Sequence, residues 1–340
     1  MSMKNRPTSR DIADAAGVSQ ATVSRALRGS PLVRPETRQR ILEVARKLNY
    51  RVDRSAAGLR TGQSRTLALL LFEDTTADSS RINPFFLALL GSITRAAARL
   101  DYDVLLSFQQ LSKDWAARYE LSNRADGLIL LGYGNYLRFA ERLQLLLNAD
   151  AHFILWGPLV SSQPWLSVGC DNSGGGRTAV EYMLQKGRTR IAFLGNTDDD
   201  HPEFKARHDG YCQALQSAGI GTADELQVDA DSQLQSGEAA IQQLLASGIT
   251  FDAVFAASDL IAIGALRALR DAGQSVPGDV SVMGFDDIPA AAYARPAITT
   301  VRQDTARAGQ LLVEKLVARI EERPVESELL PTELVLRESA

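Results

Sequence analysis

The sequence predicts an α/β protein with an N-terminal three-helix helix-turn-helix head, a short hinge helix, and a large two-lobed body built on parallel sheets. Three observations carry this reading. Beyond residue 65, short apolar runs alternate with stretches of helical periodicity, the pattern of strand-helix-strand units. The first 50 residues show helical spacing only. Charge divides at the same place: residues 1–65 hold 14 Lys and Arg against 5 Asp and Glu, a net of +9, and the remaining 275 hold 23 against 36, a net of −13. A basic module ahead of an acidic body points to a polyanion partner for the front alone, the other reading being a solvated charged face.

In the front segment, Ser9 is expected to cap a first helix that places Ile12, Ala13, Ala15 and Ala16 at helical spacing, with Gly17 supplying the turn. Ser19 then caps a second helix. Its buried side is Val23, Ala26 and Leu27, and its other side carries Gln20, Ala21, Thr22, Ser24 and Arg25, groups able to reach base edges and phosphates. Pro35 opens a third helix in which Ile41, Leu42, Val44, Ala45 and Leu48 are spaced to cover the other two. Residues 50–64 read as one or two helical turns around Ala56, Ala57 and Leu59, capped by Asp53, or as a plain linker.

In the body, candidate strands are TLALLLF (66–72), DVLLS (103–107), GLILL (127–131), HFILW (152–156), RIAFL (190–194), FDAVFA (251–256) and VSVMG (280–284). Helical stretches such as 86–100 and 261–273 lie between them. About 275 residues is large for one such sheet, so two lobes are expected. Ligands of open parallel sheets sit beyond the carboxyl ends of the strands. The groups placed there are Arg207, taken to precede a helix beginning HDGYCQAL, Ser258 and Asp259 after FDAVFA, and Asp286 after VSVMGF. Asp259 and Asp287 also read as helix caps, and Arg207 as an interlobe salt bridge.

Other chemistries find no support. SGGGRT (173–178) lacks the Gly-Lys-Ser/Thr ending of a phosphate loop, and DDDH (198–201) reads as an exposed loop before Pro202. His152, His201 and His208 are scattered with no nucleophile beside them, so no catalytic set, metal site or cofactor is expected. Cys170 and Cys212 have no CxxC or zinc spacing, nothing approaches 18 uninterrupted apolar residues, and the N-terminus lacks a signal-peptide core. Together these predict a cytoplasmic protein without a membrane partner.

Several motifs occur in order, DIADAAGVSQATVSRAL (11–27), RPETRQRILEVARKLNY (34–50), SAAGLRTGQS (55–64), INPFF (82–86), DGLIL (126–130) and the segments 168–196, 207–211 and 255–287, and together they carry a family resemblance. The chain resembles the lactose-repressor (LacI/GalR) family of bacterial transcription factors over nearly its whole length. The resemblance implies a DNA-binding domain at 1–50, a hinge and linker at 51–65, and an effector-binding and dimerisation domain at 66–340. That last domain would have periplasmic-binding-protein architecture, its lobes joined by crossing strands near 162–168, 290–298 and 324–330. The partners implied are palindromic double-stranded operator DNA, a second copy of the chain, and a small effector, a sugar or glycoside. A purine or a phosphorylated partner protein is the alternative within the family. A sugar-binding transport component would need export and has no use for residues 9–65, and an enzyme would need a nucleotide loop or an acid-base set.

By the same resemblance, DNA is contacted by Thr8, Ser9, Ser19, Gln20, Ala21, Thr22, Ser24 and Arg25 in the head and by Ala56, Leu59 and Arg60 in the hinge. The effector is contacted by Asn83, Phe85 and Phe86 on one lobe and by Arg207, Ser258 and Asp286 on the other. Arg and Asp suit vicinal hydroxyls, and an aromatic platform from Tyr133, Trp156 or Trp165 would cover a sugar ring, core packing being the other reading of the tryptophans. Two departures from the family pattern stand out: Arg34 replaces the usual Ser before the third helix, and Val52-Asp53 replaces Pro-Asn before the hinge. The ending LPTELVLRESA, without a leucine-heptad tail, implies a dimer and not a tetramer.

Overall fold

The computed structural model describes residues 7–27, 29–50, 63–72, 82–109, 119, 124–132, 140–159 and 163–340. Ala56, Leu59 and Arg60 of the expected hinge, and Tyr133, lie outside them. The chain forms two compact units, Met1–Ser64 and Arg65–Ala340.

The first unit holds α1 (Ser9–Ala16), α2 (Gln20–Leu27) and α3 (Pro35–Lys47). The cap of α1 is Thr8 and not Ser9. Thr8 Oγ1 accepts the Asp11 amide at 3.4 Å while the Asp11 carboxylate accepts the Thr8 amide at 2.6 Å, a reciprocal box. Only Thr8 has an acidic residue three positions on; Ser9 faces Ile12 there. Gly17, at φ 64°, ends α1 in the left-handed conformation that glycine adopts without penalty. Ser19 Oγ accepts the Thr22 amide at 3.2 Å and starts α2. Ile12, Val23, Ala26, Val33, Ile41 and Ala45 form the buried core. Ala15 and Leu42, which the spacing also turns inward, face solvent, because one residue's step rotates a side chain about 100° away from its buried neighbour. Arg34 precedes α3 without a side-chain capping bond.

The second unit contains two six-stranded sheets. The first, in the order β11-β5-β4-β3-β1-β2, is built from β1 (Thr66–Phe72), β2 (Asp103–Gln109), β3 (Gly127–Leu131), β4 (Phe153–Trp156), β5 (Leu166–Cys170) and β11 (Glu328–Leu330). It is flanked by α4 (Pro84–Arg99), α5 (Ala140–Asn148) and α11 (Thr305–Ile320). The second, β12-β10-β9-β8-β6-β7, takes β6 (Ile191–Leu194), β7 (Gln227–Val228), β8 (Ala253–Ala256), β9 (Ser281–Asp286), β10 (Thr299–Gln303) and β12 (Thr332–Val335). Its helices are α6 (Asn172–Gln185), α7 (Pro202–Ser217), α8 (Leu234–Ala246), α9 (Asp259–Asp271) and the short α10 (Pro289–Tyr293). Among the described residues all pairings are parallel except β10 with β12.

The chain passes between lobes three times: at Asp171 between β5 and α6, at Asp304 between β10 and α11, and at Pro331 between β11 and β12. This corrects the crossings expected near 162–168 and 290–298, while the one expected near 324–330 falls at the next residue, Pro331. Residues 166–168 are paired within the first sheet, and 290–298 carry α10 and the approach to β10 inside the second lobe. The crossings fall just past strands still held in register, Cys170 with Leu330 and Gln303 with Thr332. A hydrogen bond from Cys170 Sγ to Gln303 Oε1 at 2.8 Å ties two of them together.

The glycine run at 174–176 opens α6, and its use is close packing against α7. A Cβ on Gly176 would collide with the carbonyl oxygen of Arg207, and one on Gly210 with that of Ser173. Among the described residues no helix is long and apolar enough to cross a membrane.

Candidate functional site

Two surfaces carry the chemistry expected of the sequence. In the head, Val23 and Ala26 anchor α2 to the core, which leaves Gln20, Ala21 and Arg25 exposed and Thr22 and Ser24 half-buried on the opposite side. Gln20 Nε2 donates to Ser9 Oγ at 2.7 Å, so the start of α1 fixes the amide at the start of α2. The Ser19 hydroxyl is hydrogen-bonded to that of Thr22 at 2.9 Å. Thr8 is spent on its capping box.

The second surface is the cleft between lobes, at the carboxyl ends of the strands. Asn83 caps α4 by accepting the Phe85 amide at 2.9 Å, and Pro84 follows at the first helical position. This turn directs Phe85 and Phe86 into the cleft. Phe85 packs edge-on against Phe86 at 5.4 Å and, tilted, against Trp156 at 5.8 Å, where β4 ends. Asn83 Nδ2 also donates across the cleft to Ser232 Oγ at 3.1 Å, and Ser232 donates to Ser258 Oγ at 2.9 Å. Ser258 caps α9, so it joins the lobes through Ser232 and does not itself line the cavity.

Arg207 sits within α7 and not ahead of a helix. Pro202 begins that helix, and Gly210 within it permits the close crossing with α6. The guanidinium lies 3.8 Å over the Phe285 ring, donates from Nε to Asn172 Oδ1 at 2.8 Å and from Nη1 to the Ala257 carbonyl at 2.5 Å, and places Nη2 3.6 Å from Asp286. The ion pair is therefore within one lobe. Asp286 Oδ1 also accepts Gln303 Nε2 at 2.6 Å. Burial raises the Asp286 carboxyl to about 6, against the opposing pull of Arg207. Asp286 and Asp287 occupy positive φ, 114° and 57°, and such conformations cost about 1–3 kcal/mol each and persist where surrounding contacts enforce them.

Asp259 and Asp287 do not act as caps. Asp259 reaches from the first turn of α9 to accept the Ile288 amide at 2.8 Å and the Thr300 hydroxyl at 2.5 Å, and burial pushes its carboxyl well above the usual range. Asp287 pairs with Arg302 at 2.7 Å and Arg337 at 2.5 Å. Trp165 packs beside Phe153 just before β5, at the end of the sheet away from the cleft.

Three cleft residues escape a reading of strand ends: Asn172, Gln303 and Glu203. Glu203 lies one helical turn before Arg207, so both face the same way, and that i, i+4 spacing was the available signal. The Glu203 side chain is buried, burial raises its carboxyl to about 7, and its Oε2 has no hydrogen-bond partner. Between these groups and the aromatic wall the free volume is about 10 Å³, room for one water, with a separate cavity of about 200 Å³ beyond Gln303. Sites for organic ligands run to about 300 Å³ or more, larger than either cavity.

Comparison with known proteins fits both surfaces. Residues 8–53 match the profile of bacterial regulatory proteins of the lacI family, and residues 180–340 that of a periplasmic binding protein-like domain. Over the full length of both chains the sequence is 33% identical to the HTH-type transcriptional regulator CelR of Thermobifida fusca. The chain belongs to the LacI family. Among other LacI-family relatives, the ribose operon repressor of Escherichia coli is 29% identical over 97% of this chain and 98% of its own. The lac repressor dimer bound to operator and the anti-inducer ONPF superposes with a TM-score of 0.84 at 25% identity, covering 98% of this chain and 99% of that one. The CelR-cellobiose complex does so with a TM-score of 0.73 at 33% identity, over 98% and 100%. As a LacI-family protein, the chain is a DNA-binding transcriptional regulator and not an enzyme.

Proposed function

We propose that this regulator binds a palindromic double-stranded operator in the cytoplasm as a homodimer, and that a sugar or glycoside held between its lobes sets its affinity for that operator. The observation that carries the effector reading is the polar pair of Arg207 and Asn172, with Arg207 held by Asp286, lining the same cavity as the aromatic side chains of Phe85 and Trp156. Donors and acceptors locked at known spacing on one side and ring faces on the other match the hydroxyl edge and apolar face of a pyranose. That a solved relative is a CelR-cellobiose complex, and that another relative is a ribose operon repressor, supports the same class.

On the DNA side, Gln20 and Ala21 are proposed to read major-groove base edges with Arg25 beside them, while Ser19, Thr22, Ser24, Thr8 and Ser9 stand near the backbone. Leu59, with Ala56 and Arg60, is proposed to enter the minor groove as an apolar wedge. The test is calorimetric titration of the full chain with a sugar panel, followed by operator titration at fixed salt with and without each sugar that binds. Binding of a sugar that shifts operator affinity supports the reading; binding of purines alone would overturn the effector class.

A further inference from the structure

Among the described residues four buried side-chain atoms lack a hydrogen-bond partner, and of these only Glu203 Oε2 belongs to a residue lining the cleft. The neighbouring charges are already committed. Arg207 is engaged by Asn172, the Ala257 carbonyl and Asp286, and His201 is bonded through Nδ1 to Asp198 at 2.7 Å. With Arg207 matched by Asp286, Glu203 is the unbalanced acidic group of the cavity. Across from it stand Phe85, Phe86 and Trp156, whose ring faces attract cations.

We infer that Glu203 determines effector specificity by receiving the ammonium group of an amino sugar and by turning away uronates and sugar phosphates. This rests on the carbohydrate reading above. A neutral hydroxyl supplies a hydrogen-bond donor but no counter-charge, and an ionised carboxylate in a dry cavity remains costly without one. An ammonium supplies both, and the aromatic wall accommodates it. An anionic sugar would set a second negative charge beside Glu203 and be repelled. Burial pushes this carboxyl up to about 7 against the pull of Arg207 and His201, so an ammonium beside it would also favour its ionised form.

The experiment titrates the full-length protein calorimetrically with glucose, glucosamine, glucuronate and glucose 6-phosphate, with the galactose counterparts, and with cellobiose against the β-1,4-linked glucosamine disaccharide. In the wild type the amine member of a binding series should be tighter than the neutral member by about tenfold, with the anionic members weakest. In Glu203→Gln that ratio should collapse to near one. A wild-type series in which the neutral sugar equals or exceeds the amine overturns this inference and leaves the carbohydrate reading standing, whether or not the variant folds. An amine preference that persists in Glu203→Gln overturns it as well. If no sugar of any series binds, the carbohydrate reading fails and this inference with it.

Discussion

Arg207 and Asp286 meet at 3.6 Å with both side chains 2% exposed, and Phe285, the residue before Asp286 in β9, lies flat beneath the guanidinium. The separation is long for an ion pair, and Asp286 takes its shorter bond from Gln303 at 2.6 Å. Removing one member of a buried pair costs about 3–5 kcal/mol because the other charge is left without a partner. Arg207→Ala should therefore lower the melting temperature as well as abolish the effector response. Asp286→Asn keeps the side-chain volume but also leaves the Arg207 charge without its counter-ion, so it too should lower the melting temperature. It should weaken sugar binding by about tenfold or more, the worth of one charge-assisted bond, and operator binding should no longer follow sugar concentration. Wild-type sugar affinity in both variants, measured by calorimetry, would remove these residues from the site.

In the head, the bond from Gln20 Nε2 to Ser9 Oγ aims the first side chain of α2. A preorganised glutamine pairing with adenine is worth about 1–3 kcal/mol of discrimination. Replacing Gln20 and Ala21 together should change the preferred half-site in a binding-site selection. Ser9→Ala should relax preference at one base without moving the rest of the consensus. An unchanged consensus in the double variant rules out both positions as readers.

The crossing of α6 and α7 makes a third expectation. A methyl group on Gly176 has no space against the Arg207 carbonyl, so Gly176→Ala must push the two helices apart. Overpacking of this kind costs about 1–3 kcal/mol. Because α7 carries both Arg207 and Glu203, sugar affinity should fall together with thermal stability. A variant that loses stability yet binds sugar as the wild type does would show that the helix position does not matter to the cleft.

Much of this architecture is legible in the sequence because burial is periodic. The fully apolar runs GLILL and FILW give β3 and β4, and the helix-turn-helix follows from Gly17 between two capped apolar faces. Strand β10, TTVRQ, is hidden because its buried residues include Thr299, Thr300 and Gln303, whose polar groups are satisfied only by distant partners such as Asp259, Ser339 and Asp286. The same reason conceals part of the site. Gln303 and Asn172 matter through bonds to Asp286 and Arg207, 17 and 35 residues away, and no local pattern announces them. Arg207 is legible as a cleft residue, but the start of its helix is not: the sequence reading begins the helix at His208, one residue after Arg207, whereas it begins at Pro202.

The last expectation is a pH dependence set by the cleft itself. Burial raises Glu203 from 4.5 to about 7 and Asp286 from 3.8 to about 6, while Asp259 is also raised. A carboxyl whose pKa is higher folded than unfolded binds its proton more tightly in the native state. Its contribution is complete below the unfolded value and is lost as pH climbs through the folded one. The body should accordingly be more stable near pH 5 than near pH 8, the loss falling between roughly pH 4 and 7. Glu203 alone accounts for about 3 kcal/mol of that change at 1.36 kcal/mol per pKa unit, an upper figure if water enters the cleft as it opens. Glu203→Gln, which carries no ionisable proton, should flatten the melting-temperature profile across this range and surpass the wild type above pH 7. A profile as steep in the variant as in the wild type would place the titration on other groups and mean that Glu203 is solvated in the native protein.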